Sequence, residues 1–170
     1  GDIISSNTSS GGLTFNSSFT AAGFLVDSAS LGSSATVYFA GHSTFTISTF
    51  TINGSGANLV TLKSTDTAQW RLNNTHQYSV TGARVSSSNA IGNAITALNS
   101  TNLGNNTNWI FPAASAFEWS GLGATNNWSE GANWGNGLYA PGPSDIALFS
   151  DASAKDANID VSTSVAGIRI

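Results

Sequence analysis

The chain contains no cysteine and no methionine. Without thiols it has neither a disulfide framework nor a thiolate metal site. The lack of both oxidisable sulfur residues suits work outside the cell. Charge is almost as scarce: five Lys and Arg against nine Asp and Glu, 8% of residues, where soluble domains carry about 25%. With a net charge of −4 and five cations there is no basic stripe to neutralise phosphates, which argues against a nucleic-acid partner. No apolar run approaches a membrane-spanning length, so no membrane insertion by this segment is expected. The opening Gly1-Asp2-Ile3-Ile4 lacks the charged and apolar regions of a signal peptide, as expected of a processed protein or an excised module.

What fills the chain instead is small and polar. Ser (27), Thr (18), Asn (18) and Gly (18) make up 81 of the 170 residues, so its surface relies on hydroxyl and amide hydrogen bonds and little on ion pairs. Hydrophobic residues still reach 40%, enough for a core. Helix signals are nearly missing. No long segment has 3.6-residue apolar spacing, and the best stretch, Ser88 to Leu98, carries Gly92 and Asn93 in its middle.

Short runs of Thr, Val, Ile and aromatics bounded by Gly, Asn and Ser recur, and these read as strands. They fall at 12–16, 36–40, 44–53, 59–63, 69–72, 78–86, 94–99 and 109–111, then at 146–150, 157–161 and 165–170. In Phe45-Thr46-Ile47-Ser48 and again in Phe50-Thr51-Ile52-Asn53, apolar side chains alternate with polar ones. Ser48-Thr49 shifts that alternation by one residue and predicts a bend or bulge. The fold class is therefore all-β. Strand onsets at Thr36, Leu59, Tyr78 and Ala94 lie 23, 19 and 16 residues apart, which favours the rungs of a parallel β-solenoid (β-helix). A β-sandwich or jelly roll is the alternative, with Asn53-Gly54 as its best hairpin signal. Pro112-Ala113-Ala114-Ser115-Ala116 separates residues 1–112, solenoid-like or sandwich, from a Trp-rich β module at 113–170.

Two segments are more specific. The first comprises Gln69-Trp70-Arg71-Leu72, then Tyr78–Asn89, then Asn99 to Phe111 with its Gly104-Asn105-Asn106-Thr107-Asn108-Trp109-Ile110-Phe111 end. It resembles the closing rungs of repetitive bacterial surface or adhesin-like proteins with β-helical, autotransporter-like repeats. Ser86 and Ser87 replace the acidic residue usual in that pattern. The second segment has Trp119-Ser120-Gly121, Asn127-Trp128, Asn133-Trp134 and Pro141-Gly142-Pro143-Ser144-Asp145-Ile146-Ala147-Leu148-Phe149. It resembles the opening of such a repeat, with Ser164–Ile170 as a first rung. A closing segment thus precedes an opening one, as in a circularly shifted repeat of a longer polymer or array.

The resemblance implies a structural module of an extracellular filament or a large repetitive cell-surface protein, whose partner is another copy or repeat joined head-to-tail. Ile3, Ile4, Val165, Ile168 and Ile170 are the expected subunit or repeat contacts. The Asn-Trp pairs admit two readings. Trp119, Trp128 and Trp134 could contact glycans through their flat apolar faces, giving a carbohydrate-binding adhesin, or they could cap a core while Asn bonds the bends. Asp145, Asp151, Asp156 and Asp160 lack the dense Asp/Asn/Gly periodicity of a calcium loop, and His42 and His76 lack a second ligand nearby. Glu118 and Glu130 are the only glutamates and nothing pairs them for catalysis, and no Gly-Lys-Ser/Thr follows a strand. The expectation is a protein that is not an enzyme, with no metal and no cofactor.

Five cations cannot build an extensive ion-pair surface, so screening has little to remove. The melting temperature should move by less than about 10 °C between low salt and about 0.5 M NaCl, a neutral salt chosen because kosmotropic anions strengthen burial. Scanning calorimetry checks this, and a larger shift would refute it.

Overall fold

The computed structural model describes residues 1–113, 115–135, 137–142 and 145–170. Ala114 of the linker, and Pro143 and Ser144 of the Pro-rich motif, lie outside the described residues. The chain divides into two compact units, Gly1–Pro112 and Ala113–Ile170. Strand accounts for 47% and helix for 4%, and the parallel sheets form a β-solenoid of about 7 turns. The sandwich alternative is thereby excluded: every pairing between named strands is parallel.

The first unit begins with β1 (Asp2–Ser5), β2 (Leu13–Phe15) and β3 (Phe19–Asp27). A one-turn helix α1 (Ser28–Leu31) follows, capped by the Asp27 carboxylate and closed by Gly32 in the left-handed region. Then come β4 (Ala35–Phe39), β5 (Thr44–Asn53), β6 (Val60–Ser64) and β7 (Trp70–Thr81). The last strands shorten: β8 (Ala83–Val85), β9 (Ser88–Ala90), β10 (Ile95–Leu98), β11 (Thr101–Asn102) and β12 (Trp109–Ile110). One sheet stacks β2, β4, β6, β8 and β11 in order, and the larger one stacks β1, β3, β5, β7, β10 and β12, with β9 also on β7. Each rung therefore contributes to both sheets.

The in–out alternation breaks once in β3 at Ala22–Gly23 and once in β5 at Ser48–Thr49. These breaks split the larger sheet into a proximal and a distal half. In the fourth rung β9 continues the proximal half of β7 and β10 its distal half. Phe45, Ile47, Phe50 and Ile52 are all buried, and the register against β7 slips between Ile47 and Thr49. The sequence expectation at Ser48-Thr49 is met.

Parallel in-register stacking places each core residue over its counterpart one rung away. The columns Leu13–Val37–Leu62–Val85, Phe19–Phe45–Leu72–Ala90 and Val26–Ile52–Val80–Ala97 line the interior. Phe39 connects them, stacking on Phe15 at 5.6 Å and on Trp70 at 4.2 Å between ring centroids. Such offset-stacked and edge-on aromatic pairs contribute beyond the area they bury.

The rung period differs from the sequence expectation. Register steps are 24, 25, 23 and 17 residues, from Leu13 to Val37, Val37 to Leu62, Leu62 to Val85 and Arg84 to Thr101. Thr36 and Leu59 begin strands of one sheet and Tyr78 and Ala94 lie along the other, so the onset spacing mixed two faces. Asn53-Gly54 is not a hairpin. Ser55 and Asn58 form a two-way antiparallel bridge there, but β5 and β6 belong to different sheets, so the turn is a rung corner. At that corner the backbone packs too closely for any side chain: a Cβ on Gly82, whose φ is 61°, would lie 2.1 Å from the Gly54 carbonyl oxygen.

In the second unit β13 (Ala116–Glu118), β14 (Ile146–Leu148) and β15 (Gly167–Arg169) form a three-stranded parallel sheet in that order. A single 3-10 turn covers Gly131–Asn133. The core consists of Trp119, Trp128, Trp134 and Ala147, with Phe117, Ala140, Phe149, Ala157 and Val165 packed around it. The expected strand at 157–161 does not form. Asn158 makes one isolated bridge with Asn127, and Ile159 and Val161 are exposed.

Phe45→Ala removes a fully buried ring from the central column and should destabilise the protein by about 3–5 kcal/mol. Thr61→Ala, on the outward side of β6, should cost no more than ~0.5 kcal/mol. Urea unfolding of both variants measures the difference, and similar costs at the two sites would contradict this core.

Candidate functional site

The expected contact residues lie on edge strands. β1 has β3 as its only strand neighbour and β15 has only β14, among the described residues, so each offers a row of backbone donors and acceptors on its other side. Ile4 points away from the core at 72% exposure while Ile3 packs against it. Ile168 and Ile170 are exposed and Val165 packs on the tryptophan core. Of the five, Ile4, Ile168 and Ile170 present free apolar surface.

The tryptophans are placed otherwise than a glycan site requires. Trp119, Trp128 and Trp134 are 1–2% exposed and meet edge-on, Trp134 lying 5.1 Å from Trp119 and 4.6 Å from Trp128 between centroids. No ring face remains for a sugar, which corrects the expectation of glycan contact at these three positions. The physical reason is size: a unit of under sixty residues has few large apolar side chains, and the indoles supply its core. Two indole N–H groups find buried acceptors. Trp119 donates to the Lys155 carbonyl at 2.7 Å and Trp134 to the Trp128 carbonyl at 2.8 Å. The Trp128 Nε1 is buried without a protein partner.

The asparagines of the Asn-Trp pairs organise the loop before them. Asn133 is fully buried; its Oδ1 accepts from the Gly123 N–H, and its Nδ2 donates to the Thr125 and Asn127 carbonyls. Glu130 closes the same loop from the solvent side. Its carboxylate accepts from the backbone N–H groups of Ala124 and Thr125, each at 2.7 Å, and from the Thr125 hydroxyl. Those bonds, the Thr125 hydroxyl first, hold the Glu130 carboxyl below its ordinary range. The Lys155 ammonium completes the loop by donating to the Gly123 carbonyl. Asp160 clamps Ser129 through hydroxyl and N–H, and those bonds likewise lower its carboxyl.

The remaining polar candidates also serve the fold. Glu118 accepts from the Ser150 hydroxyl, and Asp145 caps the Gly142 N–H. Among the described residues no three His, Asp or Glu side chains converge as a metal site. His42 is a corner residue with φ of 61°, its N–H bonded to the Gln69 carbonyl and its carbonyl to Arg71. Asn74 escapes sequence reading: it occupies a buried position in line with Ile47, where alternation leads one to expect an apolar residue. Its Nδ2 donates to the carbonyls of Ile47, Ser48 and Gln77, pinning the bend between the two halves of the larger sheet.

No family model matches the sequence, and neither a curated protein nor a solved structure matches the chain.

A lowered carboxyl makes stability depend on pH in a defined direction. Above the ordinary glutamate value of 4.5, Glu130 is ionised in folded and unfolded chains alike, and its bonds contribute fully. As pH falls through that value toward the lower folded one, the unfolded chain takes up the proton first and the contribution is lost. Glu130→Gln should therefore lower the melting temperature at pH 7, with the gap to the unsubstituted protein closing as pH falls below 4.5. A gap that stays constant across that range would refute the clamp.

Proposed function

We propose that this chain is a non-catalytic structural module of an extracellular filament or a large repetitive, adhesin-like cell-surface protein, extended by rungs added at its edge strands. The observation that carries the reading is the parallel solenoid itself with β1 and β15 each paired on one side. A parallel strand edge is satisfied by any further parallel strand in register, whether the next rung of one continuous chain or the first rung of a neighbouring copy. Each hydrogen bond so formed contributes on the order of 1 kcal/mol net. Ile168 and Ile170, now exposed, would add roughly 1.5–3 kcal/mol each on full burial.

A contact of this kind joins unlike surfaces, so it repeats without closing and generates a linear array. The partner is then the protein itself. A surface of hydroxyls and amides with few charges supports an extracellular setting, and it gives no footing for nucleic acid. Both glutamates are engaged in local loop bonds, which supports the non-catalytic reading.

Electron microscopy of the purified chain at high concentration should show fibres with a regular axial repeat. Deleting residues 165–170 should abolish them while residues 1–111 retain their circular dichroism. Fibres formed by the truncated protein, or an intact chain that stays monomeric with both termini mobile, would overturn the head-to-tail reading.

A further inference from the structure

The bend that splits the larger sheet is not uniform from rung to rung. Between the paired positions Ile47 and Asn74 and the next pair, Thr49 and Gln77, β5 has one intervening residue and β7 has two. The extra residue forces Thr75, His76 and Gln77 outward as an exposed lip. The lip is firmly built, because the Asn74 amide ties it to the carbonyls on both sides. Just beyond it Tyr78, which pairs with the fully buried Phe50, is itself 36% exposed. Together these features leave a groove of about 400 Å³ on the outside of the distal half-sheet, lined by Thr49, Thr51, His76, Gln77, Tyr78 and Ser79.

We infer that this groove is a binding site for a neutral saccharide. Its lining offers one aromatic ring, whose apolar face suits the C–H groups of a pyranose, among hydroxyls, an amide and an imidazole that match sugar hydroxyls. None of these six side chains hydrogen-bonds to another described residue, whereas amides nearby are committed to the fold: Asn53 to Asp27, Asn74 to three carbonyls, Asn108 to the Ala90 carbonyl. The groove's donors and acceptors are thus available to a ligand. No Asp, Glu, Lys or Arg lines it, so an uncharged ligand fits and an acidic one gains nothing. A peptide strand is disfavoured because the floor is a sheet face whose backbone is already paired from β3 through β5 to β7. The volume lies within the ordinary range for small-molecule sites. The inference is independent of assembly, although an array of modules would present the groove many times and bind multivalently.

The test uses the whole chain. Neutral hexose and N-acetylhexosamine oligosaccharides of two to four sugars, with uronate and sulfated counterparts, are screened on an array, and the best neutral binder is titrated by NMR. Shifts should concentrate at residues 49–51 and 76–79, and Tyr78→Ala should weaken binding at least about ten-fold. Tyr38→Ala, on the other sheet, should leave affinity within about two-fold, with the melting temperatures of both variants recorded as a fold control. Should Tyr78→Ala fail to fold, Gln77→Ala and Ser79→Ala carry the same expectation of weakened binding. Absence of any neutral binder, preference for the acidic series, or equal loss in the Tyr38 and Tyr78 variants would overturn the site.

Discussion

Everything in the first unit depends on the hydrogen-bonded stacking of parallel strands in register, which sets each residue about 4.8 Å from its counterpart in the next rung. A side chain in such a column cannot avoid its neighbours above and below. Like charges stacked this way repel, and the columns are composed accordingly. Lys63 lies over Tyr38, Arg71 between Thr44 and Asn89, Arg84 between Thr61 and Thr101, Asp2 over Gly23 and Asp27 over Asn53. Each charged residue in these columns has uncharged neighbours. The scarcity of charge is therefore a requirement of the architecture as much as a feature of the surface.

The second unit solves a different problem. Its sheet has three strands of three residues each, too little to bury a core by alternation. Three indoles supply the apolar volume instead, and side chains that usually face water supply the order: Asn133 inside the loop, Glu130 outside it, Asp160 on the next turn. The Asn-Trp pair is in this sense one device, an amide that fixes the backbone beside a ring that fills the interior. The same chemistry serves Asn74 at the bend of the first unit.

What was legible in the sequence follows from where alternation is regular. Phe45, Ile47, Phe50 and Ile52 announce their side of the sheet, and the Ser48-Thr49 step announces its break. The strand at Phe19–Asp27 went unread because its own break falls on Ala21-Ala22-Gly23, where small residues erase the contrast between inside and outside. Residues 157–161 misled in the opposite way. Their alternation is genuine, but Ile159 and Val161 have no sheet to face, and Asp160 is held by Ser129. The groove at Tyr78 left no mark, since it arises from one extra residue in β7 relative to β5, a comparison that exists only once the strands are paired.

The rungs also shrink. Register steps fall from 25 to 17 residues, and the column that begins Phe19, Phe45 ends Leu72, Ala90. A solenoid of identical repeats can slip by a whole rung at little cost, because every rung fits every other. Here a one-rung slip would set a phenylalanine in the place of a leucine and a leucine in that of an alanine, overpacking each layer it touched. The taper thus acts as a key. It gives the coil a wide end and a narrow end, makes every rung valid at one level only, and guards a chain of near-uniform composition against mispairing with itself.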